Sequence, residues 1–454
     1  MTSVRRVAAE VLLAVGRGRT TLAAEVDRAR SPFSDRRDRA LLVELTVGTL
    51  RWRNALDALI EAASRRPIAN IDERALAVLR TGVYQLRYLT RVPAHAVVHE
   101  SVEAVRTLGA DRAAPFVNAV LRSLTRGGTR FHLPERPGDS AARARWIEYL
   151  TISLSHPQWL AERWFDRYGA NDAEAWCLFN NKTPDVIVRP LAGLTASELL
   201  HSLQSNNIRA SPARYVPDAI SLPAGALGRL GADDLERLHV QDEGSQLVAR
   251  AVAARRNERV LDLCASPGGK TIVMASDLGL GSTTPQSGLV AADHRPARVR
   301  LLAETLRRSH VAVPIVRLDA LRPLPFIAGF DAVLVDAPCS GLGTLSRDPD
   351  LKWSRTADQL EGLAADQRRM LRAAAESVRP GARLIYATCS SEPEENIDVV
   401  SRFLREDERF ALEPIAAPGV PPGMIDPQGC LVTLPYRDAL DAFFAAMLVR
   451  RKGT

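Results

Sequence analysis

Lysine is nearly missing from this chain. Only Lys182, Lys270, Lys352 and Lys452 stand among 60 basic residues in 454, so arginine carries almost all of the positive charge. Cysteine is scarce too: Cys177, Cys264, Cys339, Cys389 and Cys430 are five in number and widely scattered. That excludes a disulfide framework and favours a reducing compartment. None are paired as Cys-x-x-Cys, which argues against a zinc site. No window approaches the ~18 uninterrupted apolar residues that a membrane-spanning helix needs. Arg5 and Arg6 precede an apolar run, but Glu10 interrupts it, which argues against a signal peptide. The expectation is a soluble cytoplasmic protein without a metal.

What is present is ordinary for a globular protein. Apolar residues make up 46% and charged residues 25%, values that exclude a largely disordered chain. The length predicts two to four domains, each able to bury its own core. The net charge is +7. A bias toward arginine has two readings, a codon preference or a phosphate-binding surface that uses bidentate guanidinium contacts. Net charge alone does not choose between them.

The first 127 residues read as helical. Val4, Val7, Ala8, Val11, Leu12 and Val15 follow the spacing of an amphipathic helix, as do Leu76, Leu79, Val83 and Leu86, and Phe116, Val117, Val120, Leu121 and Leu124. Basic clusters decorate the region (Arg17/Arg19, Arg36/Arg37/Arg39, Arg51/Arg53, Arg65/Arg66), either as solvated helix faces or as a nucleic-acid-binding surface. Gly127-Gly128, Pro134, Pro137 and Gly138 then break the pattern. Residues 140–235 read as a small α+β module, with Val186-Ile187-Val188 as a strand. Its Trp146, Trp159, Trp164 and Trp176 suit a core better than base stacking.

From about 236 to 454 short apolar strands alternate with helices. Strands are expected at 259–264, 288–293, 313–319, 330–336 and 382–388, and helices at 296–308 and 356–378. That alternation predicts an α/β domain with a parallel sheet and ligands at the carboxyl ends of its strands.

Each strand ends in a distinctive residue. The first runs into Cys264-Ala265-Ser266-Pro267-Gly268-Gly269-Lys270-Thr271, where a Pro-Gly-Gly turn lets the backbone approach a ligand at a helix N-terminus. Gly269-Lys270-Thr271 suits a phosphate loop of an ATPase, with Asp336 as a metal-binding acid, but such a loop would need glycine where Cys264 stands. Asp293 and Asp319 end the second and third strands. Each alone suits a helix cap. In succession they favour a nucleoside cofactor, with Asp293 on the ribose hydroxyls and Asp319 at the adenine edge. The fourth strand ends Asp336-Ala337-Pro338-Cys339-Ser340 and the fifth Thr388-Cys389-Ser390-Ser391. If those strands are neighbours, two cysteines project into one crevice. They are then either buried structural thiols or a nucleophile with a partner.

These strings together resemble the RNA (cytosine-5)-methyltransferase family. Val240-Gln241-Asp242-Glu243-Gly244-Ser245-Gln246 resembles the segment that opens its catalytic domain. Phe116-Val117-Asn118-Ala119-Val120-Leu121-Arg122 resembles the NusB-like domain of its bacterial 16S rRNA members, the RsmB/Sun/Fmu type. The resemblance implies a NusB-like all-helical RNA-binding domain (1–127), a small α+β RNA-binding module (140–235) and a Rossmann-like catalytic domain (236–454). It implies S-adenosylmethionine as cofactor, held by residues 264–270 with Asp293, Asp319 and Asp336. It also implies Cys389 as the nucleophile on cytosine carbon 6, Cys339 as the residue that helps release the product, and Asp336 as a hydrogen-bond partner for the base. Lys270 aids the active site or packs its loop. The implied partner is RNA, 16S rRNA first and a tRNA or another rRNA position as the alternative, bound by a monomer. Rivals of other classes are the ATPase and a non-catalytic RNA-binding protein. Two departures from the family stand out: 281–288 looks like an added loop near the cofactor entry, and Ala442 replaces a usual glycine.

Overall fold

The computed structural model describes residues 3–127, 132–191, 193–280 and 288–452. Of the added loop expected at 281–288, residues 281–287 lie outside them. Two compact units divide the chain, one of Met1–Thr183 with Leu345–Arg355 and one of Pro184–Thr344 with Thr356–Thr454.

The first unit is helical: α1 (Val4–Gly16), α2 (Leu22–Ala29), α3 (Arg36–Arg51), α4 (Arg53–Ser64), α5 (Glu73–Tyr88), α6 (Ala94–Thr107), α7 (Ala114–Gly127), α8 (Arg143–Glu148), α9 (Gln158–Tyr168) and α10 (Ala170–Asn181). The apolar stripes point inward as their spacing demands: Val4, Val7, Ala8, Leu76, Leu79, Val83, Val117, Val120 and Leu121 share one core. Asp35 and Asp72 cap α3 and α5 by accepting from backbone amides that a helix start leaves unpaired.

The stretch expected as one module at 140–235 divides at Thr183. Helices α8–α10 stay with the helical unit, where Trp146, Trp164 and Trp176 are fully buried, the last two stacked at 4.7 Å. Polar contacts fix them there: Asn54 donates to the carbonyls of Thr151 and His156 at 3.2 Å, and Ser155 Oγ accepts from Asn54 N at 2.9 Å.

Residues 345–355 also belong to this unit. The carbonyl of Ser346 accepts from the Arg51 guanidinium at 2.8 Å, and Trp353 Nε1 donates to Leu50 O at 2.7 Å. Arg51 is therefore a buried structural residue and neither a solvated nor a phosphate-facing one.

The second unit opens with an antiparallel sheet of order β2-β3-β1-β4, formed by β1 (Val186–Pro190), β2 (Ser211–Pro212), β3 (Ile220–Leu222) and β4 (Leu238–Val240) and packed with helix α11 (Ala196–Ser205). The main sheet follows, with β5 (Val260–Asp262), β6 (Leu289–Asp293), β7 (Ile315–Arg317), β8 (Phe330–Asp336), β9 (Val378–Thr388), β10 (Phe410–Glu413), β11 (Leu431–Val432) and β12 (Phe444–Arg450). Its order is β10-β12-β9-β8-β5-β6-β7, with β11 on β12. The run β7-β6-β5-β8-β9 is parallel, β12 pairs antiparallel with β9, and β10 pairs antiparallel with β12.

Helices cover both faces. Val333, Val335, Leu384 and Tyr386 pack against helices Gln359–Ala375 and Ile397–Glu406. The alternate residues Ala332, Leu334, Ile385 and Ala387 pack against α12 (Glu243–Ala251) and α13 (Gly269–Asp277). The result is a Rossmann-like fold. The order in which strands are added reverses beside β5, with β6 and β7 built out on one side and β8 and β9 on the other, which is where such a sheet opens a ligand crevice.

Candidate active site

Strand β5 is fully buried and delivers the chain to the crevice. The turn that follows depends on glycine. Gly268 has φ +114°, and a Cβ there would lie 3.1 Å from Leu302. A Cβ on Gly269 would lie 3.0 Å from Gln241, so the loop passes close to the segment that opens the domain. Asp262, at the end of β5, accepts from Thr271 Oγ1 at 2.6 Å through Oδ2, while its buried Oδ1 has no partner among the described residues. Burial pushes this carboxyl up to about 7. Burial also pushes the Cys264 thiol up, and the carboxylates of Asp336 and Asp293 push it further, so it stays neutral.

Asp293 ends β6 as expected and is buried. It accepts from Ser266 N at 3.2 Å, His294 N at 2.8 Å and Arg298 Nε at 3.2 Å, while Arg298 also donates to Ser266 O at 2.6 Å. The carboxylate thus holds residues 264–268 and keeps acceptor capacity for another donor. Asp319 lies two residues past the end of β7. Its carboxylate accepts from Leu321 N at 3.0 Å and sits 3.5 Å from Arg322. In this structure it caps a turn.

Strands β8 and β9 are neighbours, and their register pairs Asp336 with Ala387. The two cysteine loops therefore leave the sheet side by side. Cys339 Sγ and Cys389 Sγ lie 3.4 Å apart, both half-buried. Gly343 lets the first loop fold back, because a Cβ there would stand 2.0 Å from Ala442 O and 2.8 Å from Cys389 O. Ala442 donates its N–H to Gly343 O at 2.9 Å and has no positive φ, so alanine fits there without backbone strain. Hydrogen bonding to Cys389, then burial, holds the Cys339 thiol well above its ordinary range.

Lys270 turns toward Asp336, its Nζ 2.7 Å from Oδ2, and lies 5.9 Å from the centre of the Phe443 ring. Burial works against the ammonium, but Asp336 more than compensates and keeps it charged. Lys270 thus reaches across to the end of β8 and is not confined to contacts within its own loop. Among the described residues no group of His, Cys, Asp and Glu has metal-binding geometry.

Sequence reading missed a polar network beneath the two sulfurs. Glu395, Gln367, Tyr386, Ser340 and Ser390 are buried and hydrogen-bonded to one another. The only signal was an acidic run, Glu392-Pro393-Glu394-Glu395, which ordinarily marks a solvated loop.

Family models match three stretches of the chain: 16S rRNA methyltransferase RsmB/F over 249–449, the NusB family over 2–126, and the ferredoxin-like domain of RsmF/B-like methyltransferases over 156–226. The chain is 33% identical over 463 residues to ribosomal RNA small subunit methyltransferase B of Pseudomonas syringae pv. tomato, covering 98% of this chain and 96% of that one. It is 39% identical over 428 residues to Rv1407 of Mycobacterium tuberculosis H37Rv, whose name says only that it is a methyltransferase, covering 91% of this chain and 89% of that one. Among solved structures, PH0851 matches with a TM-score of 0.78 at 22% identity over 99% of both chains. NSun6 from Pyrococcus horikoshii, solved with SFG, matches with a TM-score of 0.56 at 21% identity, covering 65% of this chain and 99% of that one. These two likenesses speak to the fold.

Proposed function

The chain belongs to the RsmB/F family of 16S rRNA methyltransferases, and from that premise we propose that it methylates carbon 5 of a cytosine in 16S rRNA through a covalent Cys389–cytosine adduct. The observation that carries this reading is the pair of sulfurs 3.4 Å apart beside the Lys270–Asp336 ion pair, at the carboxyl edge of the sheet.

Carbon 5 of cytosine is a weak nucleophile. The Cys389 thiolate adds to carbon 6, forming an S–C6 bond and making carbon 5 enamine-like. S-adenosylmethionine, when bound, supplies the methyl group that carbon 5 then takes. The proton on carbon 5 must afterwards leave, and the S–C6 electron pair returns to Cys389. Asp336 hydrogen-bonds the base at N3: that nitrogen has no hydrogen in neutral cytosine, so it takes up a proton as thiolate addition places charge on it, and the carboxylate, oriented by Lys270, accepts from the resulting N3–H.

Cys339 suits the release step for a reason visible in its surroundings. The largest influence raising its thiol is the hydrogen bond with Cys389. Once the Cys389 sulfur is bonded to carbon, that influence is gone. Cys339 then ionises more readily at the stage when a base is needed.

The residues of the crevice suit the cofactor. Gly268 and Gly269 leave a cradle that a Cβ would fill, and Asp262 Oδ1 is an orphaned acceptor behind it. Cys264, Ala265, Ser266, Pro267, Gly268, Gly269 and Lys270 would line it, Asp293 would take the ribose hydroxyls, and Asp319 would meet the adenine edge. Against the phosphate-loop rival stand the family match and Cys264 where the first glycine of such a loop would be.

The helical unit and the small sheet would grip structured RNA, largely through phosphates, while the target base is single-stranded or flipped out. We read the enzyme as a cytoplasmic monomer, which light scattering checks. No helix among the described residues is long and apolar enough to cross a membrane. Bisulfite sequencing of rRNA and tRNA from cells with and without the gene is the deciding experiment. Loss of one 16S site supports the reading, loss of a tRNA site moves the substrate, and no loss in either RNA refutes it.

A further inference from the structure

Glu395 follows β9 in an acid-rich turn, yet it is 0% exposed. Its Oε1 accepts from Ser340 N at 2.8 Å and Gln367 Nε2 at 3.0 Å, and its Oε2 accepts from Ser340 Oγ and Ser390 Oγ, both at 2.5 Å. Its carbonyl accepts from Tyr386 OH at 2.5 Å. Among the described residues no cation lies within ion-pair distance of this carboxylate.

Burying an unpaired carboxylate is expensive, and only a full set of donors offsets it. An apolar residue would fill the same volume without that cost. The position of the donors explains the choice. Ser340 directly follows Cys339 and Ser390 directly follows Cys389, so one rigid group spans both cysteine loops.

We propose that Glu395 is a positioning residue that sets the separation of the Cys339 and Cys389 sulfurs. Moving either loop breaks hydrogen bonds to a carboxylate that has no other partners to fall back on. The inference rests on the two-cysteine reading above and adds to it the group that makes the two cysteines work as a pair.

The test begins without RNA. Diamide takes the two thiol hydrogens onto its azo nitrogens as one S–S bond forms, so the rate of Cys339–Cys389 closure, followed by peptide mass mapping of the full chain, reports how often the sulfurs meet. Glu395→Gln should close at the wild-type rate: its amide oxygen can accept from Ser340 N and Gln367, and its amide nitrogen can donate to the serine hydroxyls, which rotate to suit. Glu395→Ala should close about tenfold more slowly or worse, the equivalent of one lost hydrogen bond to a charged group. Ser390→Ala removes the arm on the Cys389 side alone and should also slow closure. It decides the matter by itself if Glu395→Ala does not fold.

Wild-type closure in Ser390→Ala and in folded Glu395→Ala overturns the proposal. A second arm adds RNA. There the two slow variants should accumulate the covalent RNA complex expected of Cys339→Ala, and Glu395→Gln should turn over. Slow closure with no RNA complex in any variant leaves the positioning role standing and refutes the adduct chemistry. Normal closure with intact adduct chemistry refutes the positioning role alone.

Discussion

Lys352 offers a test in which the magnitude follows from its surroundings. Its side chain is 1% exposed, and Nζ donates to Asn181 Oδ1 at 3.0 Å and to the carbonyls of Arg51 and Ser155 at 3.3 Å. Burial lowers its ammonium to about 7, with Arg51 adding to the depression. An unfolded lysine titrates near 10.4. Below pH 7 both states hold the proton and the slope vanishes. Above it the unfolded chain holds a proton that the folded chain has released, so stability rises with pH. The gain is about 1.4 kcal/mol per pH unit, or roughly 2–3 kcal/mol between pH 7 and pH 9. Buried thiols such as Cys177, pushed up to about 12 by burial, oppose this near the top of the range. The comparison is therefore with Lys352→Met, which keeps those thiols and removes only the titrating head. All six tryptophans lie in the helical unit, so their fluorescence during urea unfolding reports that unit selectively. Relative to the methionine variant, the wild type should gain stability steadily from pH 7 to pH 9. Parallel pH profiles for the two proteins, or a relative loss by the wild type, would refute the argument that the buried ammonium gives up its proton.

Cys389→Ser should abolish methyl transfer, because a hydroxyl cannot supply the nucleophile at neutral pH, whereas Cys339→Ala should stall as an RNA complex that survives denaturing electrophoresis. Reversed behaviour would exchange the two roles. Asp293→Ala should weaken S-adenosylmethionine binding by calorimetry by about 1–3 kcal/mol, since it removes a ribose partner and also frees Ser266 and Arg298. Asp319→Ala should weaken binding less, because part of its present work is capping a turn, and equal losses would contradict that ranking. For RNA grip, removing residues 1–127 would strip the core on which 345–355 packs, so the cleaner perturbation is alanine at the exposed Arg36, Arg37, Arg65 and Arg66. Weaker RNA binding with a flatter salt dependence is expected, by about 0.7–0.9 in log–log slope per lost phosphate contact, and an unchanged slope returns these arginines to a solvated face.

The parallel sheet was legible because its strands are short, apolar and bounded by turn residues. The helix expected at 296–308 forms with those bounds, as does the strand at 330–336. Periodicity is a local property, so the helical faces of α1, α5 and α7 were equally readable. Asp293, Asp336, Cys339 and Cys389 could be singled out because each sits at the end of an apolar run, where a polar or reactive side chain is conspicuous. What local pattern could not carry was pairing. The 3.4 Å approach of the two sulfurs depends on β8 lying beside β9 in a register that matches Asp336 with Ala387. The Lys270–Asp336 pair joins residues 66 positions apart. No local pattern marked Glu395, and only folding brought Ser340 and Gln367 to its carboxylate. Nothing in the sequence marked Lys352 beyond its being one of four lysines, and its burial follows only from the segment around it joining the helical unit. The tryptophan-rich stretch after residue 140 went to that unit too, although composition grouped it with the strands that follow. Chemistry at a strand end is written in adjacent residues, and the sequence alone sufficed for it. Which distant groups bury, neutralise and hold that chemistry is set by contacts between residues far apart in the chain, and that was decided only when the chain folded.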